Sequence, residues 1–247
     1  MSHTDVHARI GLALALALSA QCTALSRSRS TVSQAKEPAA VREPERRLRA
    51  AFPDVQVEWD EAQGRILRIR GLRGQAGGTA EAVGRSVLAA PAVAAALGLS
   101  PGLPELCRPS TYRDPQLEGA AVVRWQQCLE GVRVVGAELV MNVRLGPSPL
   151  VDTITSSLSA GRPASLQPKI PPEAAVDAAR RGAARPGPDG PRGAVEPELV
   201  VFDPALFQSR GASTLCWYVR VDALVVLVDA TDGRVLKRFA AAQRGVR

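Results

Sequence analysis

Histidine is almost missing from this chain. Only His3 and His7 occur in 247 residues, both at the extreme N-terminus. Beyond residue 7 no H-E-x-x-H zinc helix can form, and no Ser-His-Asp or Cys-His pair can activate a nucleophile. The cysteines offer no C-x-x-C spacing, so a thiolate metal or redox site has no support. Carboxylates are abundant, but no spacing singles out a pair suited to acid–base work. Asp229-Ala230-Thr231-Asp232-Gly233 lacks the alternating oxygen ligands and closing glutamate of a calcium loop, and reads as a turn between strands. These absences point away from an enzyme, and from any metal or cofactor.

Aromatics are scarce too, at 4%, so core bulk has to come from Val, Leu and Ala, with Trp59, Trp125 and Trp217 as large anchors. Lysine occurs only at Lys36, Lys169 and Lys237, so the net charge of +7 is carried almost wholly by arginine. No Lys/Arg run of five appears and no basic stretch alternates with aromatics, which argues against nucleic-acid binding. Arg, Ala, Gly and Pro run high together, as a compositional bias produces.

No apolar run is long enough for a stable membrane anchor. The longest opens the chain. Arg9 precedes Ile10–Leu18, and small residues follow at Ser19, Ala20, Cys22 and Ala24, the layout of a secretory signal peptide over residues 1–24. Cleavage after Ala20 or Ala24 fits, and the mature chain is expected to be secreted or periplasmic, with no transmembrane segment. A lipid anchor at Cys22 is the alternative, against which stands the bulky Gln21. In an oxidising compartment Cys107 and Cys128 are the expected disulfide pair; small buried thiols at Cys107, Cys128 and Cys216 fit equally well.

What is present reads as two units. Residues 25–42 form a polar leader. Glu43–Phe52 has helical spacing and stops at Pro53. Val55–Trp59 and Arg65–Arg70 form a hairpin, and Gly71–Gly78 a loop. Thr79 caps a helix through Leu88, which Pro91 interrupts before it resumes over Ala92–Leu97. Strands follow at Ala120–Leu129 and Val132–Leu145 around a Glu130-Gly131 turn, then at Leu150–Leu158. In the second of these, Val132, Val134, Gly136 and Glu138 share one face, and Arg133, Val135, Ala137, Leu139 and Met141 the other. Both faces are apolar in the middle, so the strand belongs at the centre of a sheet.

Ser159–Pro172 reads as a linker, rich in Ser, Gly and Pro. Pro171-Pro172-Glu173 opens a helix over Ala174–Ala179. A loop at Ala184–Gly193 contains three Pro and three Gly. Strands at Glu198–Phe202, Leu215–Val221, Leu224–Val228 and Arg234–Phe239 complete an antiparallel meander. The fold class is α+β.

The stretch Arg124-Trp125-Gln126-Gln127, with Gly131-Val132-x-Val134-x-Gly136-Ala137-Glu138-Leu139, resembles the signature of the fungalysin/thermolysin propeptide (FTP) domain. The second half is similar to that domain's usual companion, the PepSY domain. There the likeness lies in the helix Glu173–Ala179, in Leu199–Asp203, in the strand holding Trp217, and in Val228-Asp229-Ala230-Thr231-Asp232-Gly233-Arg234-Val235-Leu236. The resemblance implies an FTP-like unit over 43–158, a linker at 159–172, a PepSY-like unit over 173–240 and a tail at 241–247. It implies that each unit is a small antiparallel sheet with helices, in cystatin-like layers.

Pro-regions of that family precede secreted thermolysin-like zinc peptidases, help the catalytic domain fold and block its cleft. Here Lys237–Arg247 closes the chain where the family continues into H-E-x-x-H, so the implied partner is a separately encoded thermolysin-like metallopeptidase catalytic domain. The implied role is inhibition or folding assistance in trans. The alternatives are a peptidase-independent envelope binding module and the remnant of a truncated precursor. Arg124, Gln126, Gln127, Gly131, Val134, Gly136, Glu138, Trp217, Asp229 and Gly233 carry the resemblance, as partner contacts or as residues that shape the sheets. On the second view Gly131 serves a tight turn and Gly136 a bulge or close backbone approach.

Overall fold

A computed structural model describes residues 43–74, 78–113, 115–183 and 196–241. The expected signal peptide over 1–24, the leader over 25–42, the loop at 184–193 and residues 242–247 of the tail lie outside the described residues.

The fold is α+β, with four α-helices and ten strands among the described residues. In chain order they are α1 (Glu43–Ala51), β1 (Gln56–Asp60), β2 (Arg65–Arg73), α2 (Ala80–Leu88), α3 (Pro91–Leu97), β3 (Leu106–Arg113) and β4 (Ala120–Leu129). There follow β5 (Val132–Arg144), β6 (Leu150–Ser156), α4 (Pro172–Ala183), β7 (Glu198–Phe202), β8 (Thr214–Val221), β9 (Leu224–Asp229) and β10 (Val235–Ala240). A 3₁₀ turn, Pro204–Phe207, follows β7. No single helix among the described residues is long and apolar enough to cross a membrane.

Local chemistry accounts for most of these boundaries. Thr79 accepts a hydrogen bond from the Ala82 amide and so caps α2. Pro91 does not break a helix; it begins α3 at a position where its missing N–H costs nothing, and Gly98 at φ 67° ends it. Glu130 (φ 49°) and Gly131 (φ 84°) are both left-handed, the geometry that lets a two-residue turn follow the twist of its strands.

All ten strands belong to one sheet. Its path runs β1-β2-β6-β5-β7-β8-β9-β10, and β4 lies along the other edge of β5 with β3 outside it. Strand β5 is therefore central, and it serves two partners in turn along one edge. Arg133 and Val134 pair in parallel with Val200 and Val201 of β7, whereas Leu139–Arg144 pair antiparallel with β6.

Between those two regions β5 bulges. On β4, Gln126 pairs with Glu138 and Cys128 with Arg133, so Gln127 alone faces the four residues Val134–Ala137. Gly136 sits in the bulge at φ 75°. This corrects the simple alternation expected for the strand. Val134 and Ala137 pack together in the core under α4, while Val135 joins a cluster on the opposite face.

Helices α1–α3 cover the first core, where Trp125 is fully buried against Leu139 and Met141. A Cβ at Gly84 of α2 would come within 2.5 Å of the Trp125 ring, so the glycine makes room for the largest side chain in the core. Helix α4 covers the second core, built from Val134, Val201, Trp217, Val226 and Val228. Trp125 and Leu129 alternate to the same side of β4, so both cores lie on one face of the sheet. The third cluster, Val135, Val200, Phe202, Cys216, Val225 and Leu227, lies on the other face. Phe207, Tyr218 and Phe239 join it in tilted, stacked and T-shaped contacts, with centroids 5.4–6.4 Å apart along the row from Phe202.

Two further differences from the sequence reading have clear causes. The expected loop at Gly71–Gly78 begins later, because β2 continues through Gly71–Arg73 to pair Leu72 and Arg73 with Val151 and Leu150. Strand β3 has no counterpart in the sequence reading. Its sequence, LCRPSTYR, shows no alternation because Arg108–Arg113 are all exposed, and Pro109 sits in a bulge between Cys107 and Ser110.

A side chain at residue 136 has to adopt a left-handed backbone, and its Cβ would stand 3.1 Å from Phe207. Gly136→Ala is expected to cost about 1–3 kcal/mol of unfolding free energy in urea titration. Gly131→Ala, also left-handed but with nothing within 4 Å, should cost less. Equal costs would show that the contact with Phe207 contributes nothing.

Candidate functional site

The paired glutamines of β4 point to opposite faces, as neighbours on a strand must. Gln126 donates through Nε2 to the carbonyl of Val134 at 2.7 Å and to that of Ala137. Both carbonyls belong to the bulge, where they have lost their ladder partners. The Ser157 hydroxyl completes the repair by accepting from the Glu138 amide at 3.1 Å.

Gln127 does the reverse job on the helix-bearing face. It is 5% exposed, between the two cores. Its Nε2 donates to the Ser159 carbonyl at 2.9 Å, and its Oε1 accepts from the Ser159 amide at 2.7 Å. One side-chain amide thus imitates a strand neighbour for the chain leaving β6. The Ser159 hydroxyl in turn donates to the buried Asp203 carboxylate, whose other oxygen accepts from the Ala205 amide and caps the 3₁₀ turn. That turn carries Phe207 to Gly136. On this face a cavity of about 450 Å³ lies between α3, the β1–β2 turn and residues 156–160, with Trp59, Ile66 and Leu158 in its wall.

The opposite face holds a charged groove of about 620 Å³ across five strands. Strand β3 contributes Arg108 and Ser110, β4 contributes Arg124 and Gln126, and β5 contributes Arg133 and Glu138. Glu196 lies just before β7 and Glu198 opens it, and Tyr218 and Arg220 come from β8. Arg124 meets Glu138 at 3.2 Å in an exposed pair.

Glu198 is held more firmly. Arg133 donates to both its oxygens, Nη2 at 2.7 Å and Nε at 3.2 Å, and Arg108 adds a bond at 3.0 Å. The Arg133 guanidinium carbon also lies over the Tyr218 ring, 5.0 Å from its centroid. The bonds from Arg133, outweighing partial burial and helped by Arg108, hold the Glu198 carboxyl below the usual glutamate range.

The sequence-predicted residues thus fall into separate places. Arg124, Gln126 and Glu138 line the groove, and Gln127 and Val134 lie on the opposite face. Gly131 turns the β4–β5 hairpin and Gly136 sits in the bulge. Trp217 is in the second core, its indole N–H donating to the Ile170 carbonyl at 3.1 Å. Asp229 accepts from the Thr231 amide at 2.7 Å and Gly233 takes φ 79°, which together close the β9–β10 turn.

Cys107 and Cys128 form a disulfide with Cα atoms 5.9 Å apart, and Cys216 is free and buried. Burial, with the nearby Asp229 charge, pushes the Cys216 thiol up to about 12, so it is an inert core residue. Arg108, Arg133, Glu198, Tyr218 and Arg220 were not singled out in the sequence. Each is an isolated polar or aromatic position on its own strand, and only the sheet order brings them together.

No protein-family model matches this chain, and no curated protein matches it. Among solved structures it is similar to the Bacillus megaterium YpeB C-terminal domain, with 12% identity and a TM-score of 0.35 over 83% of this chain and 97% of that one.

Two measurements check this geometry. Gln127→Leu strands the Ser159 amide and carbonyl, so a loss of about 1–3 kcal/mol is expected, with faster hydrogen exchange at residues 158–161. Unchanged exchange there would refute the clamp. Glu198 has a lowered folded-state pKa, so its contribution is present above about pH 4.3 and is lost as pH falls through the folded value. The stability gap between the wild type and Arg133→Met should therefore narrow between about pH 6 and pH 3. A gap constant across that range would show that Arg133 does not act through Glu198.

Proposed function

We propose that this chain is a non-catalytic, propeptide-like module that acts in trans on a thermolysin-like zinc metallopeptidase, inhibiting it, assisting its folding, or both. The observation that carries this reading is the meeting of Arg124, Gln126 and Glu138 in the wall of the 620 Å³ groove. These are residues by which the chain resembles the propeptide family, and here they border a surface large enough to receive a protein segment. None of them is a nucleophile. Their hydrogen bonds go to backbone carbonyls and to each other.

The physical mechanism needs no chemistry from the module. A partner that binds the folded peptidase and not its unfolded chain lowers the free energy of the native state, which raises the refolding yield. The same binding hinders substrate when the contact covers the cleft. Export under the N-terminal apolar segment is part of the proposal, since such a peptidase works outside the cytoplasm.

The test adds increasing amounts of the purified protein to secreted thermolysin-like peptidases and records residual activity and refolding yield. Saturable inhibition or a raised yield is the expected outcome. A folded, uncleaved protein without effect on any of them overturns the reading in favour of a peptidase-independent binding module.

A further inference from the structure

Strand β3 forms one wall of the groove, and its other edge pairs with nothing among the described residues. It differs from the other outer strands. Strands β1 and β10 are partly buried along much of their length, whereas Arg108–Arg113 of β3 are exposed at every position, on both faces. Among the described residues the exposed large hydrophobics are Tyr112, at 62%, and Leu117, at 59%, and both belong to the β3–β4 hairpin. An edge of this kind is a template for one more strand.

The base of β3 is fixed. The Cys107–Cys128 disulfide ties it to β4, the Cys128 amide donates to the Glu105 carbonyl at 2.8 Å, and the bulge at Arg108 and Pro109 carries Arg108 to Glu198. Pro109 lacks an amide hydrogen and protects that part of the edge. Beyond it, Ser110–Arg113 continue in register with β4 as a held, open strand. A docking strand would therefore meet an edge that is already ordered and pay little for ordering it.

Charge decides what fits. Arg108 and Arg124 are already paired with Glu198 and Glu138, so over the open stretch Ser110–Arg113 the edge carries the charge of Arg113 and no acidic residue. The same stretch of a second copy, Ser110–Arg113, holds no carboxylate to meet Arg113. We infer that the open edge of β3 takes up an extended, acidic segment of a partner protein by strand addition, with Tyr112 against its apolar side chains. This goes beyond the proposed peptidase role and does not depend on it.

The experiment titrates the full chain into two fluorescently labelled peptides, acetyl-(Val-Glu)₄-amide and acetyl-(Val-Lys)₄-amide, and reads polarisation at low and high salt. The acidic peptide should bind, and weaken as salt rises. Arg113→Glu should weaken it about fivefold to tenfold, with the circular dichroism of the fold unchanged. Thr111→Pro should also reduce binding; if it disturbs folding, Arg113→Glu still carries the test.

Equal binding of both peptides, or of neither, overturns the inference. So does a dimer in sedimentation that Arg113→Glu strengthens, since the occupant is then a second copy. Acidic-peptide binding without any effect on a peptidase supports the edge while removing the peptidase role. Peptidase inhibition without peptide binding does the converse.

Discussion

One strand has to be the neighbour of two others along a single edge, and the rest of the fold follows from how it manages this. Strand β5 leaves a parallel pairing with β7 and takes up an antiparallel pairing with β6, so its hydrogen-bonding pattern must be broken between Val134 and Leu139. A regular strand cannot do this, because its side chains and its amides alternate with a fixed period. The bulge at Val134–Ala137 resets both. It needs a left-handed residue, and glycine at 136 adopts that geometry without the clash a side chain brings.

A bulge leaves carbonyls unpaired, and in a half-buried sheet each would be costly. Gln126 supplies donors from the groove side, and Ser157 ties the next turn of the strand to β6. On the other face Gln127 grips Ser159, Ser159 reaches Asp203, and Asp203 caps the turn that sets Phe207 over Gly136. The polar residues of this region therefore form a circuit around one irregularity. The glutamine pair is an answer to backbone geometry, and the groove is the surface left on its outer side.

Much of this was legible locally. Hairpin turns, the Thr79 cap, the helix end at Leu97 and the central position of β5 each depend on a few adjacent residues whose conformational preferences are strong. Gly71–Arg73 and β3 were not legible, because their strand character comes from partners distant in sequence and their side chains do not alternate. The face assignment of Ala137 failed for a related reason. A period-2 reading is right only until a bulge, and a bulge at Gly136 looks in sequence like any other glycine in a strand. The charged groove was the least visible part. Arg108, Arg133, Glu198 and Tyr218 come from four strands, and nothing in any one of them marks it as a member of a cluster.

The near-exclusive use of arginine takes on a different meaning at this point. Across the chain it has the look of a compositional bias, and at exposed positions such as Arg46 and Arg47 on α1 a lysine would serve as well. Arg133 is different. Its planar guanidinium lies over the Tyr218 ring while two of its N–H groups point at the two oxygens of Glu198. An ammonium group can approach the ring or the carboxylate, but it cannot offer a planar fork of N–H groups to both carboxylate oxygens while its charge lies over the ring. The result is a largely buried cation beneath a groove whose outer arginines, Arg108 and Arg124, hold their carboxylates at exposed positions. Arg108 joins the same carboxylate only because the bulge beside the disulfide turns it inward. The order of the groove is thus set from two sides: by the break in β5 that brings β7 alongside, and by the kink in β3 that closes the far wall.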